Sequence, residues 1–276
     1  MKKTWLLFLC LSFILPLPAQ TVKLLTWNIQ DLGRSKDEAE IKEMVKIMRQ
    51  YDLIAIQEVV AKDPAGARKV AELADLLNRS GNRWDYRISN PTQSPSAYIS
   101  ERYAFIWKSS LIQNLGSPYL DQDLARACFR EPYIGKFRLK SHPEPFYVVN
   151  FHARKHDQQP EEEIQFFSQY QRRLGSDYVF IAGDFNLDDE HEVWNALKWM
   201  GFRPAISQVP TTLKRKCTRQ AEYFNYPIDN IFFDRDVCQR LDAGRVDFVR
   251  SCERLELARG ISDHLPVFLA VQLTTP

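Results

Sequence analysis

Beyond residue 20 the sequence has no apolar run approaching the roughly 20 residues that a membrane-spanning helix needs, so that part of the chain is no integral membrane protein. An excess of one charge is lacking as well. The 37 Lys and Arg face 35 Asp and Glu, and the surplus of two resides in Lys2 and Lys3. The remainder is formally neutral, which argues against a coat protein held on nucleic acid by surplus cations. Glycine is sparse at 10 residues in 276, and no repeat or low-complexity tract occurs. Together with a hydrophobic content of 45%, this excludes collagen-like and disordered classes. Cysteine is scarce too. After Cys10 only Cys128, Cys217, Cys238 and Cys252 remain, and no Cys-x-x-Cys pair of a zinc site is among them.

What is present begins with an export pattern. Lys2 and Lys3 precede an apolar run from Trp5 to Leu15, and Leu17-Pro18-Ala19 ends on the small residue of a cut site. Residues 1–19 therefore read as a secretory signal and 20–276 as one exported domain, secreted or periplasmic. In an oxidising compartment an even number of cysteines reads as two disulfides. Three pairings are possible, and Cys238 with Cys252, nearest in sequence, is the first expectation.

The first strand is expected at Val22–Trp27. Ser35 and Glu38 have capping-box spacing ahead of a helix with Ile41, Met44, Val45 and Met48 on one face. Leu53–Ile56 reads as a buried strand, and Val70, Leu73, Ala74 and Leu77 stripe a second helix. Strands at Trp84–Ile88, Arg102–Trp107, Ile134–Leu139 and Phe146–Phe151 have the Pro-, Ser- and Asn-rich connections of antiparallel pairs. A third helix is expected from Pro160 to Leu174. Tyr178–Ala182 is another buried strand, and Val193, Ala196, Leu197 and Met200 stripe a fourth helix. Further strands lie near Asn230–Phe233 and Leu265–Gln272. Helices interleaved with antiparallel strand pairs predict two packed sheets flanked by helices.

Polar residues stand at the ends of these apolar strands: Asn28, Gln57-Glu58, His152, Asp184 with Asn186, Asp229 and Asp263-His264. Any one of them has an ordinary explanation as a turn former, helix cap or paired core residue. Six strand ends would need that explanation at once. The chemical inventory is also coherent. Glu58, Asp184, Asp263, Asn28 and Asn186 are hard oxygen donors suited to Mg²⁺ or Ca²⁺. Two histidines with carboxylates available to fix their tautomers can move protons near neutral pH. These are parts for attacking a phosphate ester with water.

The segments TWNI (26–29), IQE (56–58), SERYAFIW (100–107), FREP (129–132), NFH (150–152), GDFN (183–186), PIDN (227–230) and ISDHLPV (261–267) occur in one order along the chain. In that order and spacing the sequence resembles the endonuclease/exonuclease/phosphatase superfamily, and SERYAF, FREP and ISDHLPV resemble its deoxyribonuclease I branch. The resemblance implies a four-layer α/β/β/α sandwich of two mainly antiparallel sheets. It implies a divalent-metal-dependent phosphodiesterase using Mg²⁺ or Mn²⁺, with Ca²⁺ as an alternative or companion. It further implies DNA as substrate, a monomer, and cleavage to 3′-hydroxyl and 5′-phosphate ends.

By position, Glu58 would hold the metal beside Asn28 and Asp263. His152 would pair with Glu101 and His264 with Asp229 as acid/base dyads. Asp184 would orient or deprotonate the attacking water, Asn186 would hydrogen-bond the phosphate, and Arg130 would grip a phosphate oxygen. Which histidine is the acid stays open, as does one metal against two.

One departure concerns substrate grip. That branch carries Arg at the position of Val60 and Tyr at the position of Ile99, both pressing into the DNA minor groove. Valine cannot place a cation there, although Tyr98 lies one residue away. A relative acting on a lipid or small phosphoester, as sphingomyelinases and inositol-phosphate phosphatases do, is therefore the alternative. An inactive binding module is a third reading, opposed by the full residue set. Outside the motifs, Lys214-Arg215-Lys216 with Arg219 forms a basic loop, a solvated loop by default or a phosphate contact. Trp194 and Trp199 are expected to pack.

Overall fold

A computed structural model describes residues 21–96 and 98–274; the expected signal at residues 1–19 lies outside them. In chain order the strands are β1 (Thr21–Leu32), β2 (Leu53–Val60), β3 (Trp84–Ile88), β4 (Glu101–Lys108), β5 (Ile112–Asn114) and β6 (Tyr119–Leu120). They continue as β7 (Tyr133–Leu139), β8 (Phe146–His152), β9 (Val179–Asp184), β10 (Phe202–Pro204), β11 (Asp229–Asp234), β12 (Cys238–Arg245) and β13 (Val267–Leu273). The helices are α1 (Glu38–Met48), α2 (Pro64–Asn78), α3 (Glu161–Ile164), α4 (Tyr170–Leu174), α5 (Asn195–Trp199) and α6 (Leu255–Ile261).

Two sheets result. The first has the order β12-β13-β1-β2-β4-β3, and the second β10-β11-β9-β8-β7-β5 with β6 on β7. Among the described residues only β1 with β2 and β8 with β9 run parallel. Strand alternation sorts side chains between three cores. Leu24, Phe105, Val148 and Phe180 fill the space between the sheets. Leu25, Ile54 and Ile106 face α1, α2 and α6 on the far side of the first sheet. Val149, Ile181 and Phe232 meet Phe167, Tyr170, Trp194 and Leu197 on the far side of the second. The layering is the α/β/β/α sandwich expected from the sequence.

Local structure departs from expectation at four places. The capping box of α1 is Asp37 with Glu40, two residues later than Ser35 with Glu38. The Asp37 carboxylate accepts from the Glu40 amide at 2.8 Å, and Glu40 accepts from the Asp37 amide at 2.9 Å. Ser35 instead donates to the Asp31 carbonyl at 2.9 Å and closes a turn. The third helix is broken by a 3₁₀ stretch at Gln165–Gln169. Ile164, Phe167 and Tyr170 are all buried, and their spacing of three matches the 3.0 residues per turn of that geometry.

The fourth helix buries Trp194 and Leu197, while Ala196, Met200 and Trp199 are exposed. Trp199 does not pack: it is 85% exposed. Finally, the described residues hold one disulfide, Cys217–Cys252, in place of the expected two with Cys238–Cys252. Cys238 opens the edge strand β12 and is buried between the sheets, where burial pushes its thiol up to about 12. Cys252 lies on the other side of the first sheet, against the core under α6. Cys128 is buried in the third core. The free thiols thus belong to different layers and cannot meet.

Candidate active site

Topology gathers the polar strand ends. The parallel pairs β1/β2 and β8/β9 end at the same edge as the antiparallel β4, β11 and β13 begin. Val60 is opposite Glu101, His152 opposite Asp184, and Asp229 opposite Asp184. All six strand ends singled out in the sequence therefore arrive at one rim of the sandwich.

The strand ends are bent to present their side chains. A bulge interrupts β2 between Ile56 and Val59, and Glu58 sits at φ +59°, in the left-handed region that non-glycine residues seldom enter. Asn186, just past β9, has φ +49°. Such strain persists only where surrounding contacts impose it. At Glu58 the imposing contacts are its amide donating to Glu101 Oε1 at 3.1 Å and its carboxylate accepting from Asn28 Nδ2 at 2.9 Å.

Asp184 Oδ2 is the hub. Asn28 Nδ2 donates to it at 3.0 Å, and the Nε2 atoms of His152 and His264 stand 3.5 and 3.7 Å away. Each imidazole is held from behind. His152 Nδ1 lies 2.9 Å from Glu101 Oε2, and His264 Nδ1 lies 3.0 and 3.1 Å from the two Asp229 oxygens. The two His–carboxylate pairs thus flank one carboxylate oxygen.

The electrostatics follow from burial and from these neighbours. Burial alone would lower the His264 pKa, but Asp229, Asp184 and Asp263 together raise it well above the ordinary value. His152 is lowered by burial and by Arg130, yet Glu101 and Asp184 raise it on balance. Burial works against ionising Glu101, but His152 and Arg130 outweigh it and lower its pKa. Asp184 is likewise buried and likewise lowered, by both histidines and the Asn186 amide. Asp229 differs. Burial pushes its pKa up, Asp184 adds to the rise, and it reaches about 6. His264 has three carboxylates around it, so the proton of this pair rests on the imidazole.

Other expected residues are placed as follows. Arg130 is buried and committed to positioning: Nε is 2.9 Å from Glu101 Oε2, and Nη1 donates to the Ala153 carbonyl at 3.1 Å. Its Nη2 makes no hydrogen bond among the described residues. Asn186 donates through Nδ2 to the Ala153 carbonyl at 3.2 Å, which leaves its amide one further N–H. Asp263 has Arg259 at 3.6 Å and His264 Nε2 at 4.0 Å as charged neighbours. Glu58, Glu101, Arg130, Lys62, Tyr98 and Lys155 line a cleft of about 380 Å³ beside the hub. Tyr98 is 89% exposed, with the Lys62 ammonium 3.8 Å from its ring centre.

The donor set suits a hard divalent cation. Asn28 Oδ1 is buried and has no hydrogen-bond partner among the described residues, beside the half-buried Glu58 carboxylate. An orphaned amide oxygen next to a carboxylate is a stable arrangement when a cation joins them. A second group, Asp184, Asp229 and His264, offers ligand atoms within 4.8 Å of one another. Two of its members already satisfy each other as a hydrogen-bonded pair.

Several supporting residues were given no role by the sequence. Thr211 donates to Asp229 Oδ2 at 2.7 Å from a position 18 residues away. Ser262, inside the ISDH motif, donates to the Asn28 carbonyl at 2.7 Å and accepts from the His264 amide at 2.9 Å. Trp27 Nε1 donates to the His264 carbonyl at 2.9 Å. Behind the rim, Gln57 Nε2 donates to Asn150 Oδ1 at 2.6 Å, tying the second strand of one sheet to a central strand of the other.

The Endonuclease/Exonuclease/phosphatase family matches residues 25–264. A deoxyribonuclease of Thioalkalivibrio sp. (strain K90mix) is 28% identical over 272 residues, covering 92% of this chain and 72% of that protein. A deoxyribonuclease-1-like 1 protein of Sus scrofa is 30% identical over 274 residues, covering 94% of this chain and 84% of its own. An endonuclease/exonuclease/phosphatase structure from Bacteroides vulgatus superposes with a TM-score of 0.66 over 92% of this chain and 99% of that one. At 14% identity it speaks for the fold alone.

Proposed function

Because the chain belongs to the endonuclease/exonuclease/phosphatase family, we propose that it is an exported, divalent-metal-dependent DNA endonuclease. Water attacks phosphorus and leaves 3′-hydroxyl and 5′-phosphate ends. The coarser activity, a hydrolase acting on phosphodiester bonds, follows from the family and from relatives similar over nearly the whole chain.

The observation that carries the proposal is the convergence of two carboxylate-backed imidazoles on one Asp184 oxygen. In this reading Asp184, kept ionised by its donors, orients and deprotonates the attacking water. His152 backed by Glu101 and His264 backed by Asp229 stand on either side of the scissile phosphate. One imidazole protonates the leaving oxygen while the other stabilises the developing charge. Asn186 donates its remaining N–H to a phosphate oxygen. Arg130 holds Glu101 and leaves Nη2 for the phosphate, so its role is divided between positioning and grip. Glu58 and Asn28, with Asp263 nearby, would hold Mg²⁺ or Mn²⁺, which when bound polarises a phosphoryl oxygen. Export is supported by the amino-terminal pattern and by the Cys217–Cys252 disulfide, a bond at home in an oxidising compartment.

The test is direct. Protein comprising residues 20–276 is expected to relax supercoiled plasmid with Mg²⁺ or Mn²⁺ and to stop when EDTA is added. Plasmid left intact with Mg²⁺, Mn²⁺ and Ca²⁺, while a phospholipid headgroup or an inositol phosphate is cleaved, would overturn the DNA assignment.

A further inference from the structure

The basic loop of the sequence becomes a definite object in the fold. Residues 211–226 form a hairpin: Lys214 donates its amide to the Tyr223 carbonyl at 2.8 Å, and Thr218 to that of Glu222 at 2.9 Å. Its base is registered on the active site. Thr212 bridges His264, Leu213 donates its amide to the Asp263 carbonyl at 2.8 Å, and Leu265 donates to the Thr211 carbonyl at 2.7 Å. Arg259 adds a bond to the Leu213 carbonyl at 2.8 Å.

The tip is pinned by the Cys217–Cys252 disulfide, which brings a second segment, distant in sequence, against the first. Arg215, Lys216 and Arg219 on the tip are exposed, as are Arg250 and Arg254 on the facing segment. None of these five forms an ion pair among the described residues. The nearby acids are few: Glu222 faces Lys214 at 3.7 Å, Asp247 accepts from the Tyr223 hydroxyl at 2.7 Å and the Arg250 amide at 3.2 Å, and Glu253 is the one acid lying between Arg250 and Arg254 in sequence. Residues 20–276 are formally neutral, so a cluster of this size is a real asymmetry of the surface field.

We propose that this disulfide-pinned basic hairpin is the phosphate-backbone anchor for a duplex DNA substrate, gripping the strand a few nucleotides from the scissile bond. The proposal rests on the nuclease reading and deepens it. From Thr212 at the site to Arg215 the chain reaches up to about 10 Å at about 3.3 Å per residue. That is about three nucleotides along one strand at 3.4 Å each. A small phosphoester bound at the hub would not extend that far, whereas a polyanion would. The anchor also supplies a cationic grip that Val60 cannot. A lipid surface suits the patch less well, because the tip at 215–221 has no large apolar side chain to insert.

The triple variant R215Q/K216Q/R219Q changes exposed side chains only. It is compared with wild type in two assays. The first is anisotropy titration of a short labelled duplex in EDTA at salt between about 50 and 200 mM. The second is Mn²⁺-dependent hydrolysis of bis(p-nitrophenyl) phosphate. The expected result is duplex affinity lowered roughly tenfold, with the slope of log affinity against log salt shallower by about 2 to 3. Hydrolysis of the small diester should stay within about twofold.

An unchanged affinity and slope would overturn the anchor. So would an equal loss on the small diester, or loss of binding to anionic phosphatidylserine vesicles with duplex binding intact. Binding in EDTA needs no cleavage. Wild type that binds the duplex through these residues yet fails to cut plasmid would sink the nuclease reading while upholding the anchor.

Discussion

At the scale of single residues, the site is a set of mutual constraints around Asp184. Neither histidine is free to turn, because each Nδ1 is engaged by a carboxylate on a different strand. The prediction at this scale concerns His152→Ala and His264→Ala. Each should lower the plasmid-cleavage rate by roughly 10²–10⁴-fold, the usual contribution of a positioned acid or base, with far-ultraviolet circular dichroism unchanged. A loss under about tenfold at either position would remove that imidazole from the chemistry. The identities of these residues were legible in the sequence, since each stands in a motif at a strand end. Their partners were only partly legible. Thr211 acts through a contact made by folding, with nothing in its local sequence to mark it, and Trp27 stands in a motif that gave no hint of its bond to the His264 carbonyl.

At the scale of elements, boundaries moved for identifiable reasons. Helix α1 starts at the reciprocal pair Asp37 and Glu40, because Ser35 spends its hydroxyl on the preceding turn. The 3₁₀ stretch after α3 answers a spacing of three in buried residues that a pure 3.6 period does not accommodate. Strand β12, with only Cys238 buried and its next four residues exposed, has no apolar pattern to announce it.

A close approach of backbone to backbone joins β8 and β9. Gly183 has φ +152°, and a Cβ there would stand 1.8 Å from the Phe151 carbonyl oxygen. Backbone cannot give way as a flexible side chain can. Gly183→Ala should therefore cost about 3 kcal/mol or more in a urea melt and displace the adjacent Asp184. A midpoint equal to that of wild type would show that the strands separate freely at this point.

At the scale of the whole molecule, the site lies on the seam between the two sheets. Glu101, Asn28 and Glu58 belong to the first sheet, and His152, Asp184 and Asp229 to the second. The Glu101–His152 pair consequently ties sheet to sheet, and its titration should appear in global stability. Glu101 has a folded pKa below its ordinary 4.5, so its contribution is present above about that pH and is lost as pH falls through the depressed value. His152 has a folded pKa above its ordinary 6.5, so its contribution is complete below that pH and is lost as pH rises through the raised value. Both act between about 4.5 and 6.5. The difference in melting temperature between wild type and Glu101→Gln, measured in EDTA, should be largest in that window and shrink on either side. A difference independent of pH would mean that the pair does not carry charge across the seam.

The order of motifs along the chain, the apolar runs and the strand-end polar residues together determined the layered α/β architecture and the set of polar residues that the fold gathers at one rim. This was possible because alternation and helical periodicity are local properties that a sequence records. Neutrality beyond the first nineteen residues was equally a property of composition. The distances at which each carboxylate backs its histidine, which oxygen both imidazoles approach, and which cysteines pair were decided only by the tertiary fold. Those contacts join residues tens of positions apart, 35 for Cys217 with Cys252 and 51 for Glu101 with His152, and no local pattern encodes them. The same holds for the charged face. The sequence lists its cations in two separate stretches, and a disulfide across the fold makes them one surface.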